Sequence, residues 1–153
     1  SKISVIPQGF EFDLNPENRN FSENKVLTFS YAGVFLKDIR NPASLLEYLT
    51  TVETNFKFII YTPYTELLLP YKKALGDKLE IRSTISRKSL IESLKSMDFL
   101  LNLENVDTPT AIPSKLIDYA IVGRPILSIN HRNIDYNNID RFLKRDYSQK
   151  INS

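Results

Sequence analysis

A glycine and an arginine follow the first strand-like segment of the sequence. Residues 26–31 are β-branched and aromatic, which is typical of a strand, and the segment stops at Ala32-Gly33. A glycine after a strand lets backbone N–H groups approach phosphate oxygens without interference from a Cβ. Arg40 could offer a two-pronged guanidinium to the same oxygens. Alone, the pattern favours an ordinary turn with a solvated arginine.

A second group of residues has the chemistry of a site for an anion and a sugar. Ser114 is a good helix cap, and Lys115 adds positive charge where the first N–H groups of a helix are free to bind anions. Asp118 lies four residues later on the same helical face, where its carboxylate could accept hydrogen bonds from the vicinal hydroxyls of a ribose. The spacing fits equally well an exposed ion pair between Lys115 and Asp118.

A third segment, residues 83–87, could meet a planar base through its backbone at Thr84, with Ile85 packing on the base. The same residues are also typical of a helix-capping turn. Other kinds of site are missing from the sequence. His131 is the only histidine and there is no cysteine, so neither a Ser-His-Asp triad nor a His-rich or thiolate metal site is expected. His131 is interpreted as a loop residue, and no phosphate-binding P-loop or G-x-G-x-x-G pattern occurs.

The elements that must position these loops alternate between strands and helices. Strand-like segments cover residues 26–31, 56–61, 79–82, 98–103 and 125–129. Helices are predicted at 64–74, from Ser86, from Pro113-Ser114 with Leu116, Ile117, Ala120 and Ile121 buried, and at 139–143. Strands that are apolar on both faces and alternate with helices predict a doubly wound, parallel α/β sheet of Rossmann-like type. Ligands bind such sheets at the carboxyl ends of the strands.

Length and composition indicate one globular domain. The chain has 153 residues, 42% of them hydrophobic, and a net charge of +2, which gives no case for nucleic-acid binding. The absence of cysteine, of a signal peptide and of a long apolar run favours a cytoplasmic protein. We expect an interdomain linker segment and loop at 1–24, a binding domain at 25–145 and a tail at 146–153.

Four segments together resemble the C-terminal domain of GT-B fold glycosyltransferases of the retaining group 1 kind, family 4 and its relatives. They are residues 5–10, 29–40, 81–90 and, most specifically, 112–127. The last segment reads I-P-S-K-L-I-D-Y-A-I-V-G-R-P-I-L and is similar to the P-S-K-L-x-[D/E]-Y-x-x-x-G-x-P-[I/V] run of enzymes that assemble polysaccharides.

The resemblance implies a nucleotide-sugar donor, bound without a metal or other cofactor, and transfer of a hexose in polysaccharide or glycoconjugate assembly. The implied contacts are Gly33, Arg40, Ser114 and Lys115 for the diphosphate, Asp118 for the ribose, and Thr84 and Ile85 for the base. Thr110 stands where the family has a sugar-contacting acid, for which Glu104 or Asp107 could substitute.

The implied partners are a nucleoside diphosphate sugar and an acceptor-binding domain before Ser1, with the full-length protein at the cytoplasmic face of a membrane. This fragment is therefore expected to be inactive by itself. Two alternatives stay open. One is a flavodoxin-like regulatory or interaction module without a nucleotide, and the other is the donor half of a sugar-nucleotide epimerase.

Overall fold

A single parallel sheet of five strands forms the centre of the molecule. The computed structural model describes residues 23–36, 40–104 and 114–147, with the backbone alone for 114–116. The strands are β1 (Leu27–Ala32), β2 (Phe56–Tyr61), β3 (Leu79–Arg82), β4 (Phe99–Leu103) and β5 (Ile126–Ile129). Their order across the sheet is β3-β2-β1-β4-β5, and every neighbouring pair is parallel. The predicted doubly wound α/β architecture is confirmed.

Helices cover both faces of the sheet. They are α1 (Ala43–Leu49), α2 (Leu69–Leu75), α3 (Arg87–Leu94), α4 (Ser114–Val122) and α5 (Tyr136–Leu143), and a 3₁₀ turn, Gly76–Lys78, follows α2. Leucine and aromatic side chains of α1, α2 and α5 pack on one face, and those of α3 and α4 on the other. Because β1, β2 and β4 have neighbours on both sides and helices on both faces, nearly all their residues are buried, whereas the edge strand β3 (L-E-I-R) alternates apolar and charged residues.

The core contains a stack of aromatic rings across three strands. Phe29 of β1 lies between Phe58 of β2 and Phe99 of β4, with ring centroids 4.7 and 4.5 Å away. All three side chains are buried. Offset aromatic contacts of this kind contribute about 0.5–1.5 kcal/mol beyond the burial of their area. The stack therefore fixes the centre of the sheet, next to the point where the strand order reverses.

The strand order reverses between β1 and β4, and these two strands pair over a short distance. Their register covers Phe29 opposite Phe99 and Ser30 opposite Leu100, whereas β1 pairs with β2 over six residues. In doubly wound sheets, a ligand-binding crevice opens at the carboxyl side of such a reversal. The fold thus predicts a crevice beyond Ser30 and Leu100.

A buried carboxylate lies at the opposite, amino edge of the sheet. Asp98 has no exposed surface and accepts hydrogen bonds from the Thr28 N–H at 2.8 Å, from Asn24 Nδ2 at 3.0 Å and from Arg145 Nη1 at 3.2 Å. The Asn24 N–H also donates to it, at 3.2 Å. Asp98 thereby joins the starts of β1 and β4 to the chain that follows α5.

Two helix predictions are wrong in detail. The helix predicted at 64–74 begins only at Leu69, because Pro70 lies in its first turn, where its missing N–H costs nothing. On α4, Ile117 and Ile121 are exposed, at 57% and 48%. Among the described side chains of that helix, Tyr119 and Val122 are the buried ones, while that of Leu116 lies outside the described residues.

The other boundaries largely agree with the predictions. Ser86 caps α3 by accepting a hydrogen bond from the Ser89 N–H at 3.2 Å, and Gly123, with a φ of 80°, ends α4. The last helix is longer than predicted, because Asp135 caps it ahead of Tyr136. Most of the predicted segments 1–24 and 146–153 lies outside the described residues, so the domain limits stay predictions.

Candidate functional site

The loop after β1 begins with a backbone conformation that suits glycine. Gly33 has a φ of 147°, which residues with a Cβ rarely adopt. Its N–H donates to the carbonyl oxygen of Tyr61, at the end of β2, at 2.9 Å. This hydrogen bond joins the loop to β2, on the side of β1 away from the strand reversal. The turn lies at the carboxyl edge of the sheet, as the sequence predicted.

Arg40 pairs with Leu36, in the loop after β1, through a short antiparallel bridge. The Leu36 N–H donates to the Arg40 carbonyl at 3.1 Å, and the Arg40 N–H donates to the Leu36 carbonyl at 2.7 Å. Its guanidinium donates to the Tyr31 hydroxyl, which itself donates to the Val34 carbonyl at 2.9 Å. Burial raises the pKa of Tyr31 to about 12, and the charge of Arg40 opposes that rise.

One donor of this guanidinium is left over. Arg40 Nε is buried and has no hydrogen-bond partner in the described part of the chain. A buried cationic donor without an acceptor costs free energy, which an anionic oxygen would recover. Arg40 can therefore hold an anion beside the loop that contains Gly33.

Asp118 forms an ion pair with Arg87, at the start of α3. Arg87 Nε and Nη2 both contact Asp118 Oδ1, at 2.9 and 2.8 Å. The Arg87 side chain is 63% exposed and that of Asp118 is 23% exposed. The two residues are 31 positions apart, so local spacing gives no signal of the pair, and sequence reasoning assigned Arg87 no role. The pair places the carboxylate of α4 beside the segment that precedes α3.

That segment leaves side chains available to a ligand. Thr84 and Ile85 are exposed, Ile85 at 42%, while Ser86 caps α3. The helix-capping turn is therefore confirmed for Ser86. It does not use the apolar side chain of Ile85, which is exposed two residues before Arg87 and can pack against a flat ring.

Tyr119, next to Asp118, is buried, and its hydroxyl bonds to both β1 and β4. Its hydroxyl donates to the Leu101 carbonyl of β4 at 2.9 Å and accepts from the Ala32 N–H of β1 at 3.2 Å. Burial raises its pKa, so the hydroxyl keeps its proton. Sequence reasoning assigned no role to Tyr119, although it belongs to the most specific stretch of the resemblance.

The remaining predicted residues are placed only in part. Ser114 and Lys115 are the first two residues of α4, but their side chains lie outside the described residues, as do Thr110 and Asp107. Glu104 is exposed at the end of β4, where its N–H donates to the Ile129 carbonyl at 2.9 Å.

His131 lies in the turn after β5, as predicted. Within the described ranges, no cluster of His, Asp or Glu side chains could hold a metal ion. No helix in those ranges has the length and apolar character needed to cross a membrane.

One cavity lined by described residues lies away from the carboxyl edge. It has a volume of about 280 Å³, lies between α1 and α5, and is lined by Ser44, Glu47, Tyr48, Thr51 and Tyr136. None of the predicted site residues lines it. This cavity is therefore separate from the candidate site at the carboxyl edge.

Comparisons with known proteins bear on the fold. No protein-family model matches the chain, and no curated protein matches its sequence. Among solved structures, the chain is similar to the apo form of the lipopolysaccharide outer core galactosyltransferase WaaB, with a TM-score of 0.53 and 17% identity. The chain has a glycosyltransferase-like, Rossmann-type fold. The match covers 81% of this chain and 40% of the galactosyltransferase chain, and at this identity it shows the fold alone.

Proposed function

We propose that this chain is the nucleotide-sugar donor-binding domain of a glycosyltransferase, equivalent to the C-terminal half of a GT-B enzyme similar to family 4. The observation that carries the proposal is the Arg87–Asp118 ion pair. It joins the helix assigned to the ribose and the segment assigned to the base, which are distant in sequence. Ribose and base are directly bonded in a nucleoside, so one ligand can reach both.

A nucleoside diphosphate fits the order of groups along this edge. Asp118 Oδ1 receives both contacts from Arg87, so Oδ2 stays available for one ribose hydroxyl, while Ile85 offers an apolar surface to the base. The diphosphate then lies toward the loop of Gly33, where Arg40 supplies positive charge and a spare donor. The first N–H groups of α4, at Ser114 and Lys115, complete the anion site in this proposal.

In this proposal the domain binds and orients the donor, and the acceptor is held by another domain. Transfer of a glycosyl group requires donor and acceptor to be held in one geometry, which can supply about 7–11 kcal/mol of the barrier. The proposed sugar is a hexose, used in polysaccharide or glycoconjugate assembly at the cytoplasmic face of a membrane. Arg40 and Lys115 balance the diphosphate charge, so the proposed site needs no metal or other cofactor.

Thermal unfolding with a panel of nucleotides tests this function. UDP, GDP, ADP and CMP are each added to the chain. We expect at least one diphosphate to stabilise it by about 2.7 kcal/mol at 100 times its dissociation constant. For a domain of this size, that corresponds to a rise in Tm of roughly 5–11 °C. If no nucleoside diphosphate changes the Tm at millimolar concentration, the proposed function is wrong.

Two matched variants separate the site from general electrostatics. Asp118→Asn removes the carboxylate charge with little change in shape, and we expect nucleotide binding to weaken about tenfold or more, because hydrogen bonds to charged groups contribute roughly 1.5–3 kcal/mol. Asp77→Asn removes the same charge from an exposed position before β3, at the amino edge. It should bind nucleotide like the unmodified chain. Equal loss in both variants would contradict a role for Asp118 in the site.

A further inference from the structure

The backbone pairing of β1 and β4 ends where a side-chain hydroxyl takes the place of a hydrogen bond between the strands. The register between β1 and β4 ends at Ser30 and Leu100. The next polar groups toward the carboxyl edge, the Ala32 N–H and the Leu101 carbonyl, are bonded to the Tyr119 hydroxyl instead. Both groups are buried, and an unpaired buried amide is costly. The hydroxyl satisfies one group on each strand while keeping the strands apart.

The same residue connects these strands to the helix that carries the candidate carboxylate. Tyr119 follows Asp118 directly, and its ring is 1% exposed. Successive helical residues point about 100° apart, so a fixed ring at 119 also fixes the direction of the side chain at 118. On the other strand, Gly33 follows Ala32 directly. One hydroxyl therefore connects the end of β1, the middle of β4 and the middle of α4.

We propose that Tyr119 is a positioning residue that holds open the crevice between β1 and β4 and sets Asp118 at its edge. Its importance for ligand binding rests on the proposed function. A side chain that merely filled the core would need no polar group at this point, and a phenylalanine would serve equally well. The Tyr119 hydroxyl instead bonds to both strands, at the point where they must separate.

Tyr61 provides a matched control for the loss of a buried hydroxyl. It is 3% exposed and belongs to the same hydrophobic cluster as Tyr119. Its hydroxyl accepts from Arg82 Nη1 at 2.7 Å and donates to Ser93 Oγ at 3.2 Å, so it bridges β3 and α3 away from the strand reversal. Tyr61→Phe thus removes two hydrogen bonds, as Tyr119→Phe does, but it leaves unchanged the backbone carbonyl of Tyr61, which accepts the Gly33 N–H.

The test measures amide hydrogen exchange by NMR and nucleotide affinity by calorimetry in both variants of the full chain. In Tyr119→Phe, we expect the Ala32 amide to exchange about tenfold faster than in Tyr61→Phe, because it loses its acceptor. The Gly33 and Asp118 amide resonances should shift. The dissociation constant of the best-binding nucleotide should rise about tenfold in Tyr119→Phe and stay unchanged in Tyr61→Phe.

Two results would overturn the inference. The first is Ala32 exchange that is equal in the two variants. The second is faster Ala32 exchange in Tyr119→Phe without a shift of the Gly33 and Asp118 resonances, or without a change in nucleotide affinity. In that case the hydroxyl would stabilise the two strands but would not position the site. If the unmodified chain binds no nucleotide, the proposed function fails, and exchange and resonance positions still decide whether Tyr119 positions this edge.

Discussion

Replacing Arg87 with alanine should strengthen nucleotide binding, although it removes a positive charge from the neighbourhood of an anion site. Two nitrogens of Arg87 contact Asp118 Oδ1. A ribose that offers two hydroxyls to the carboxylate can use Oδ2 at once, but it must displace the guanidinium to use Oδ1. Arg87 therefore competes with the ligand for one oxygen, and removing it ends the competition.

The size of this effect follows from the exposure of the pair. Because Arg87 is 63% exposed, water screens the interaction strongly. Exposed ion pairs contribute about 0.2–1 kcal/mol. Since 1.4 kcal/mol corresponds to tenfold in affinity, the gain should be about 1.4- to fivefold at low salt. It should shrink toward nothing at about 1 M salt, where the screening length falls to roughly 3 Å.

Isothermal titration of the nucleotide into the chain at low and high salt measures this gain. Lys88→Ala is the matched control, since it removes the same charge from an exposed neighbour of Arg87 in the first turn of α3. It should leave affinity unchanged or reduce it slightly. If Arg87→Ala weakens binding more than Lys88→Ala does, Arg87 contacts the ligand and the competition argument is refuted.

Three further substitutions test the fold that supports this edge, each by urea unfolding. Asp98→Ala should lower the free energy of unfolding by about 3 kcal/mol, because it leaves Arg145 and two backbone N–H groups without their buried acceptor; a loss below 1 kcal/mol would contradict this. Gly33→Ala should cost about 1–3 kcal/mol, because φ is 147° there; an unchanged free energy would contradict the strain. Hydrogen bonds from Lys57 and Arg82 lower the pKa of Glu80 from 4.5. The ionised carboxylate therefore makes its full contribution to the free energy of unfolding above pH 4.5, and this contribution is lost as pH falls through the lowered pKa of the folded state. Glu80→Gln should therefore cost about 0.5 kcal/mol at pH 7 and nothing in strong acid, and a loss that persists in acid would refute the linkage.

The strands β1, β2 and β4 were predictable from sequence because burial on both faces leaves mostly apolar runs. The buried face of α4 was not predictable from the same property. Leu116, Ile117, Ala120 and Ile121 are apolar at helical spacing, and Tyr119 carries a polar group, so the pattern favoured the wrong face. A tyrosine can be buried completely when its hydroxyl finds partners. Tyr119 finds two on the strands beneath it, and this tertiary fact leaves no trace in the helix itself.

The candidate site also has features that could be predicted from sequence and features that could not. The loop glycine at 33, the cap at Ser86 and the carboxylate at 118 follow from residue type and place in an alternating pattern. Their connections do not, because they join residues that are far apart in sequence. Arg87 reaches Asp118 across 31 positions, and Tyr119 reaches Ala32 across 87. Such pairs depend on how α3 and α4 lie side by side on the sheet, which only the folded chain determines.

The two edges of the sheet use charge in opposite ways, and this contrast bears on where a ligand binds. At the amino edge, the fully buried Asp98 accepts four hydrogen bonds, so its charge is committed to holding the fold. At the carboxyl edge, Asp118 uses one oxygen for an exposed arginine, and Arg40 keeps a spare donor in the described part of the chain. Displacing a committed charge would cost several kcal/mol, whereas exchanging an exposed partner costs about 1 kcal/mol or less. If the proposed function holds, a nucleoside diphosphate would bind at the carboxyl edge by exchanging the exposed partner of Asp118, and the buried charge that holds the fold would stay paired.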